Sequence, residues 1–271
     1  MDKRICVITG SSGGIGGAIF DILAPQYDKV YLIGRSFPAP PAKLGQNGAD
    51  PGGDRAADPE GCTGAGSEAS CGKCETVKVF CDLRNHADVE RAAAAVSEPA
   101  VDLLVNCAGA AYYGVSDTIR PDSIREMVDV NLTAPMVLTS ALLPKIRRAE
   151  GTVVFVSSVL ARKEASTHAA VYGATKKAIS FYAASLFEEL RKHNVRVVTI
   201  CPDVTDTGLY RNADFAVGGE PDNTLAPSEV AEALEFALDR RPGMCVNEIV
   251  LRPQRNLIKK KKAADAAKEQ V

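Results

Sequence analysis

The chain has 271 residues and a formal net charge of −2, which is enough length for one large α/β domain with a sizeable core. A near-neutral balance points away from nucleic acid or an anionic membrane as the main partner. No run of about 18 apolar residues stands out. The first ten residues enter a strand pattern and lack a signal peptide's charged and apolar regions, so a cytoplasmic location with reduced thiols is expected for the eight cysteines.

The first strand pattern covers residues 4–9. It runs into Thr9-Gly10-Ser11-Ser12-Gly13-Gly14-Ile15-Gly16, and a helical pattern follows over 14–25. Glycines let the backbone turn tightly and approach a pyrophosphate, and the helix start offers unpaired N–H groups and a positive dipole end. In this context, strand before and helix after, the turn reads as a dinucleotide cradle. A second strand pattern at 29–34 ends in Gly34-Arg35. An acid near this position would accept the ribose hydroxyls of NAD; an arginine instead suits the 2′-phosphate of NADP. NADP(H) is therefore the expected cofactor.

Residues 36–75 break the pattern, with five prolines and eight glycines in forty positions. That composition predicts a mobile insertion without an amphipathic helix. Cys62, Cys71, Cys74 and Cys81 fall in or near it and contain one C-x-x-C pair. A zinc module is the minor alternative there, because a second close pair is missing; the expectation is no metal.

Further along, strand patterns at 76–81, 101–106, 151–157, 195–200 and 246–251 alternate with helical patterns at 85–96, 121–149, 171–193 and 227–240. Near-continuous apolar strands alternating with helices predict a single-domain Rossmann fold, a doubly wound seven-stranded parallel sheet spanning residues 1–258. Residues 259–271 open with four lysines and read as a basic, frayed tail.

The helical pattern at 171–193 opens with Val171-Tyr172-Gly173-Ala174-Thr175-Lys176. Four positions apart, the phenol and the ammonium share one helix face. A cation beside a phenol favours the phenolate, so the tyrosine pKa is expected to fall below about 10. That would suit a general acid or base near neutral pH.

Together these motifs resemble the classical short-chain dehydrogenase/reductase family, over nearly the whole chain except 36–75 and the tail. Thr9 to Gly16 is similar to the family's TGxxxGIG. Asn106-Cys107-Ala108-Gly109 is similar to NNAG with Cys107 replacing an asparagine. Pro202-Asp203-Val204-Thr205-Asp206-Thr207 resembles PGxxxT with Asp203 replacing the glycine. The resemblance implies a catalytic set of Asn131, Ser158, Tyr172 and Lys176. It implies cofactor contacts at Gly10, Ser12, Gly14, Ile15, Gly16, Arg35, Asp82, Leu83, Asn106, Ala108, Gly109, Tyr172, Lys176, Pro202, Val204 and Thr207. Side chains alternate along a strand, so only one of Ser157 and Ser158 should face the site; Ser158 is preferred, with Ser157 as its structural neighbour.

The chemistry implied is hydride transfer between the nicotinamide and a small carbonyl or secondary alcohol. Tyr172 would move the proton, Ser158 would hydrogen-bond the reacting oxygen, and Lys176 would bias the tyrosine. Asn131 would hold a water linking Lys176 to solvent. The segment 208–226, with Tyr210, Arg211 and Phe215, reads as a short lid; Arg211 reads as a solvated residue before a carboxylate ligand, and His168 as a loop histidine. The alternative is a non-catalytic NADP-binding sensor on the same fold. A homodimer or homotetramer is expected, from apolar residues on more than one face of 171–193.

Overall fold

The structure, a computed structural model, describes residues 3–37, 74–211, 213, 215–217, 221–255 and 258–260. The expected insertion lies outside the described residues except for its ends. Its last residue, Glu75, already belongs to a strand.

Seven strands form one parallel sheet: β1 (Ile5–Thr9), β2 (Lys29–Gly34), β3 (Glu75–Phe80), β4 (Leu103–Asn106), β5 (Thr152–Val156), β6 (Arg196–Pro202) and, anticipating the chain order, β8 (Glu248–Leu251). Their spatial order is β3-β2-β1-β4-β5-β6-β8. β1 pairs with β2 from Ile5 opposite Lys29 and with β4 from Cys6 opposite Leu103. The strand order therefore reverses between β1 and β4, and a crevice opens beyond their carboxyl ends, where ligands of open α/β sheets bind. The seven-stranded, doubly wound Rossmann architecture matches the expectation from the sequence.

Alternation along the central strands builds two cores. Ile5 and Val7 of β1 join Tyr31 and Ile33 of β2 on one face, under α2 (His86–Ala95), α4 (Ala134–Arg148) and α5 (Ala170–Leu190). Cys6 and Ile8 join Val30 and Leu32 on the other, under α1 (Gly14–Leu23) and α6 (Pro227–Leu238). Burying each such aliphatic side chain contributes about 2 kcal/mol. Every residue of β5 is buried, so an ion placed there would have no partner and no water.

The helices begin where local chemistry dictates. Asn85 caps α2 by accepting from Ala87 N at 3.1 Å. Pro121 and Pro227 open α3 (Pro121–Val128) and α6, where a missing N–H costs nothing. α1 has neither a side-chain cap nor an acid in its first turn, and its first residues, Gly14 to Gly16, line the crevice.

Two features differ from the sequence reading. The pattern at 121–149 is not one α-helix: a π-helical turn at Asp129–Thr133 separates α3 from α4. Pro135 follows the turn and has no N–H for the carbonyl of Asn131 four residues earlier. The wider turn absorbs the mismatch, and Ala134 N bonds back to Asp129 O. By length and hydropathy the run Pro121–Arg148 would also reach across a membrane; here Met127, Leu138, Leu142 and Ile146 are buried within the domain. Second, β7 (Phe215–Val217) and β9 (Ile258–Lys260) pair antiparallel. Lys259 and Lys260 are therefore part of a strand, not of a frayed tail; residues 261–271 lie outside the described residues.

Candidate active site

The crevice is a cavity of about 430 Å³ running from Arg35 to Tyr172. The glycine turn forms its floor. Gly10 has φ +74°, and a Cβ there would lie 2.6 Å from Ala108 Cα, so only glycine lets the ends of β1 and β4 approach this closely. Thr9 clamps the same two strands: its Oγ1 accepts from Cys107 N at 3.1 Å and Ala108 N at 3.2 Å. Uncapped N–H groups at the start of α1, with no carboxylate nearby in the first turn, fit a pyrophosphate.

Of the expected cofactor residues, Gly10, Ser12, Gly14, Ile15, Gly16, Arg35, Asp82, Leu83, Ala108, Gly109, Tyr172, Lys176, Pro202 and Thr207 line this cavity. Asn106 and Val204 stand behind its wall. Asn106 is buried and donates to Thr139 Oγ1 at 3.2 Å. Val204 N donates to Asp203 Oδ1, and its carbonyl accepts from Leu225 N. Asp82 is held by the fork of Arg84, with Nε 3.0 Å from each carboxylate oxygen. These bonds to Arg84 keep its carboxyl below the usual aspartate range, with Arg35 adding to the effect. Arg84 escaped the sequence reading because its position two residues after Asp82 carries no recognisable pattern.

At the other end, β5 and α5 bring Ser158, Tyr172 and Lys176 together. The two serines follow the last residue of β5, and hydrogen bonding distinguishes them. Ser157 turns into the protein, where its Oγ lies 3.0 Å from Lys176 O and 2.7 Å from Ser180 Oγ. Both serines line the cavity, and the Oγ of Ser158 accepts from Leu160 N at 3.2 Å. Asn131, on the π turn, is buried behind Gly109. Its amide exchanges two 2.8 Å bonds with the backbone of Ala110 and donates to Thr175 Oγ1 at 3.1 Å. It thereby ties α5 to the loop after β4.

The electrostatics reverse one expectation. Lys176 Nζ lies 5.8 Å from the centroid of the Tyr172 ring and donates to Val156 O at 2.8 Å. Burial raises the Tyr172 phenol well above its ordinary value, Tyr210 adds to the rise, and Ser158 pulls slightly the other way. Burial also pushes Lys176 down to about 8. The expected fall in the tyrosine pKa is thus corrected: spacing on a helix face places the two groups, but loss of water outweighs the cation at this separation.

Tyr113, which the sequence reading missed, packs its ring 5.8 Å from that of Tyr172. Leu209, Tyr210 and Arg211 close the rim from the segment after β6. His168 is exposed, has φ +62° and holds its loop through a backbone bond from Gly114 N. No disulfide forms, and no group of three metal-ligating side chains occurs, among the described residues; Cys62 and Cys71 lie outside them.

A sequence model of the short chain dehydrogenase family matches residues 60–216. The chain is 31% identical, over 93% of its length and 98% of the relative's, to an uncharacterized oxidoreductase of Staphylococcus haemolyticus. The chain belongs to the short chain dehydrogenase family. Two solved structures share the fold of this short chain dehydrogenase. One is an alcohol dehydrogenase from the archaeon Thermococcus sibiricus complexed with 5-hydroxy-NADP, with TM-score 0.72, 21% identity, and 94% and 98% of the two chains covered. The other is a metagenomic short-chain oxidoreductase in complex with NADP, with TM-score 0.65, 23% identity, and 92% and 96% covered. As a member of this family the protein is an oxidoreductase.

Proposed function

We propose that this oxidoreductase uses NADP(H) and interconverts a small carbonyl compound and its secondary alcohol, with Tyr172 as general acid and base. The observation that carries the reading is the convergence of Ser158, Tyr172 and Lys176 at one end of a cavity whose other end holds Arg35 and a glycine-lined helix start. When bound, the nicotinamide supplies or accepts the hydride.

The chain does the rest. Ser158 Oγ–H holds the reacting oxygen and stabilises charge that builds on it. Tyr172, kept protonated by its burial, donates its proton to that oxygen during reduction. Lys176 then stabilises the phenolate left behind, and in oxidation the tyrosine takes the proton back. Asn131 fixes the helix that carries both, through its bonds to Ala110 and Thr175. At the far end, Gly34 offers no acid to a ribose hydroxyl, and Arg35 beside it offers a guanidinium to a 2′-phosphate. Solved fold relatives bound to NADP support this choice.

The test is turnover of a panel of ketones and aldehydes with NADPH and NADH, followed by cofactor absorbance. NADPH is expected to give the higher kcat/KM. Arg35→Asp should weaken NADPH binding by about 2 kcal/mol, or roughly 30-fold, because a charge-assisted bond becomes a repulsion. Equal kcat/KM for the two cofactors in the unmodified protein would remove the role given to Arg35. Tight NADPH binding without turnover of any carbonyl or alcohol would favour the sensor alternative.

A further inference from the structure

The reacting oxygen is pinned by Ser158 and Tyr172, so the remainder of any substrate must lie against what surrounds that pair. Four aromatic rings meet there, from three separate parts of the chain. Tyr113 contacts Tyr172 at 5.8 Å between centroids, and Tyr210 stacks on Tyr113 at 6.0 Å with 23° between planes. Phe215 sets its edge against Tyr113 at 5.1 Å and lies 5.7 Å from Tyr210. Of Tyr113, Tyr210 and Phe215, Tyr210 lines the cavity, next to Leu209. Tyr113 and Phe215 hold its orientation from behind.

We infer that the substrate is an uncharged aryl ketone or aldehyde, or the matching alcohol, with its ring packed against Tyr210. This rests on the roles given to Ser158 and Tyr172 above. A flat ring extends the existing offset and edge-on packing, whereas a saturated ring of equal size gains only area burial. Beside Tyr210 the Asp203 carboxylate disfavours an anion. Asp203 lines the same wall, and its charge reaches the Tyr210 phenol. Arg211 also lines the cavity, and its charge bears on Tyr112.

The test compares acetophenone, cyclohexyl methyl ketone and pyruvate with NADPH, in the unmodified protein and in Tyr210→Leu and Tyr210→Phe. Acetophenone should exceed cyclohexyl methyl ketone in kcat/KM by about 10-fold, with pyruvate lowest. Tyr210→Leu should bring the first ratio close to one, and Tyr210→Phe should restore it. A ratio of one in the unmodified protein, a preference for pyruvate, or a ratio that survives Tyr210→Leu would overturn the inference while leaving carbonyl reduction intact. Saturation-transfer NMR with the NADP-bound protein reads the same ketones without turnover. Ring contact by acetophenone that is lost in Tyr210→Leu, with none of the three reduced, would uphold the aryl site and reject the hydride-transfer reading. No contact by acetophenone would reject the aryl site.

Discussion

Burial makes the charge on Lys176 costly to hold. The residue is 4% exposed, and among the described residues its ammonium has one hydrogen-bond acceptor, Val156 O. The displacement from 10.5 to about 8 corresponds to roughly 3 kcal/mol against holding the charge in place. The sign follows from proton counts. Below pH 8 both folded and unfolded chains carry the proton, and the folded state bears the full penalty. Between about 8 and 10.5 the unfolded chain holds a proton that the folded chain has released, so stability rises with pH. Above that window neither is charged. Lys176→Met should therefore stabilise the protein at pH 7 by about 2 kcal/mol, after roughly 1 kcal/mol for the stranded Val156 carbonyl. The gain should shrink steadily towards pH 10.5, while turnover is lost. Urea midpoints at several pH values read this directly; destabilisation at pH 7 would show that the ammonium is better solvated than its burial implies. At this scale the sequence located the groups but not their energies. The Tyr172–Lys176 spacing is legible from helix geometry alone, whereas burial depends on Tyr113 and Tyr210, which reach the site only through the fold.

Among the elements, the π turn at Asp129–Thr133 sets the position of Asn131. Pro135, four residues after Asn131, is visible in the sequence, but the apolar periodicity of 121–149 runs on through the turn and masks the break. An extra residue in the turn re-aims the side chain, as such turns do at functional sites, and here it aims at Ala110. Asn131→Ala should cost about 2 kcal/mol, because the N–H and carbonyl of Ala110 both lose a partner in a partly buried site. It should also lower kcat more than it raises the KM for NADPH, because α5 loses its tie to the loop after β4. Unchanged stability and kcat would mean that backbone contacts alone hold that loop. The β7–β9 pair was invisible beforehand for a different reason: three-residue strands have no detectable period, and their partners lie some forty positions apart.

For the molecule as a whole, the sheet order was readable because parallel strands buried on both faces need continuous β-branched runs. The oligomer expected from α5 now rests on fewer residues. Ile179 and Leu186 are buried, and Tyr182 packs edge-on against Phe155 at 5.8 Å. Phe181, at 76% exposure, remains on the outer face of α5, and Val128 of α3 is also exposed. If that face joins two copies, light scattering at micromolar concentration gives at least a dimer mass, and Phe181→Glu shifts it towards the monomer by placing an unpaired charge in an apolar contact. A monomer in the unmodified protein would leave Phe181 as an ordinary exposed side chain. The most direct measurement joins chemistry to the cleft itself: kcat and the Kd for NADPH, side by side, in the unmodified protein and in Tyr172→Phe, with the best carbonyl substrate. A phenol that transfers the proton predicts a loss in kcat of about 10²-fold or more with NADPH affinity kept within a few-fold. A Tyr172→Phe variant that retains the unmodified kcat would contradict the assignment of this cleft as a tyrosine-dependent oxidoreductase site.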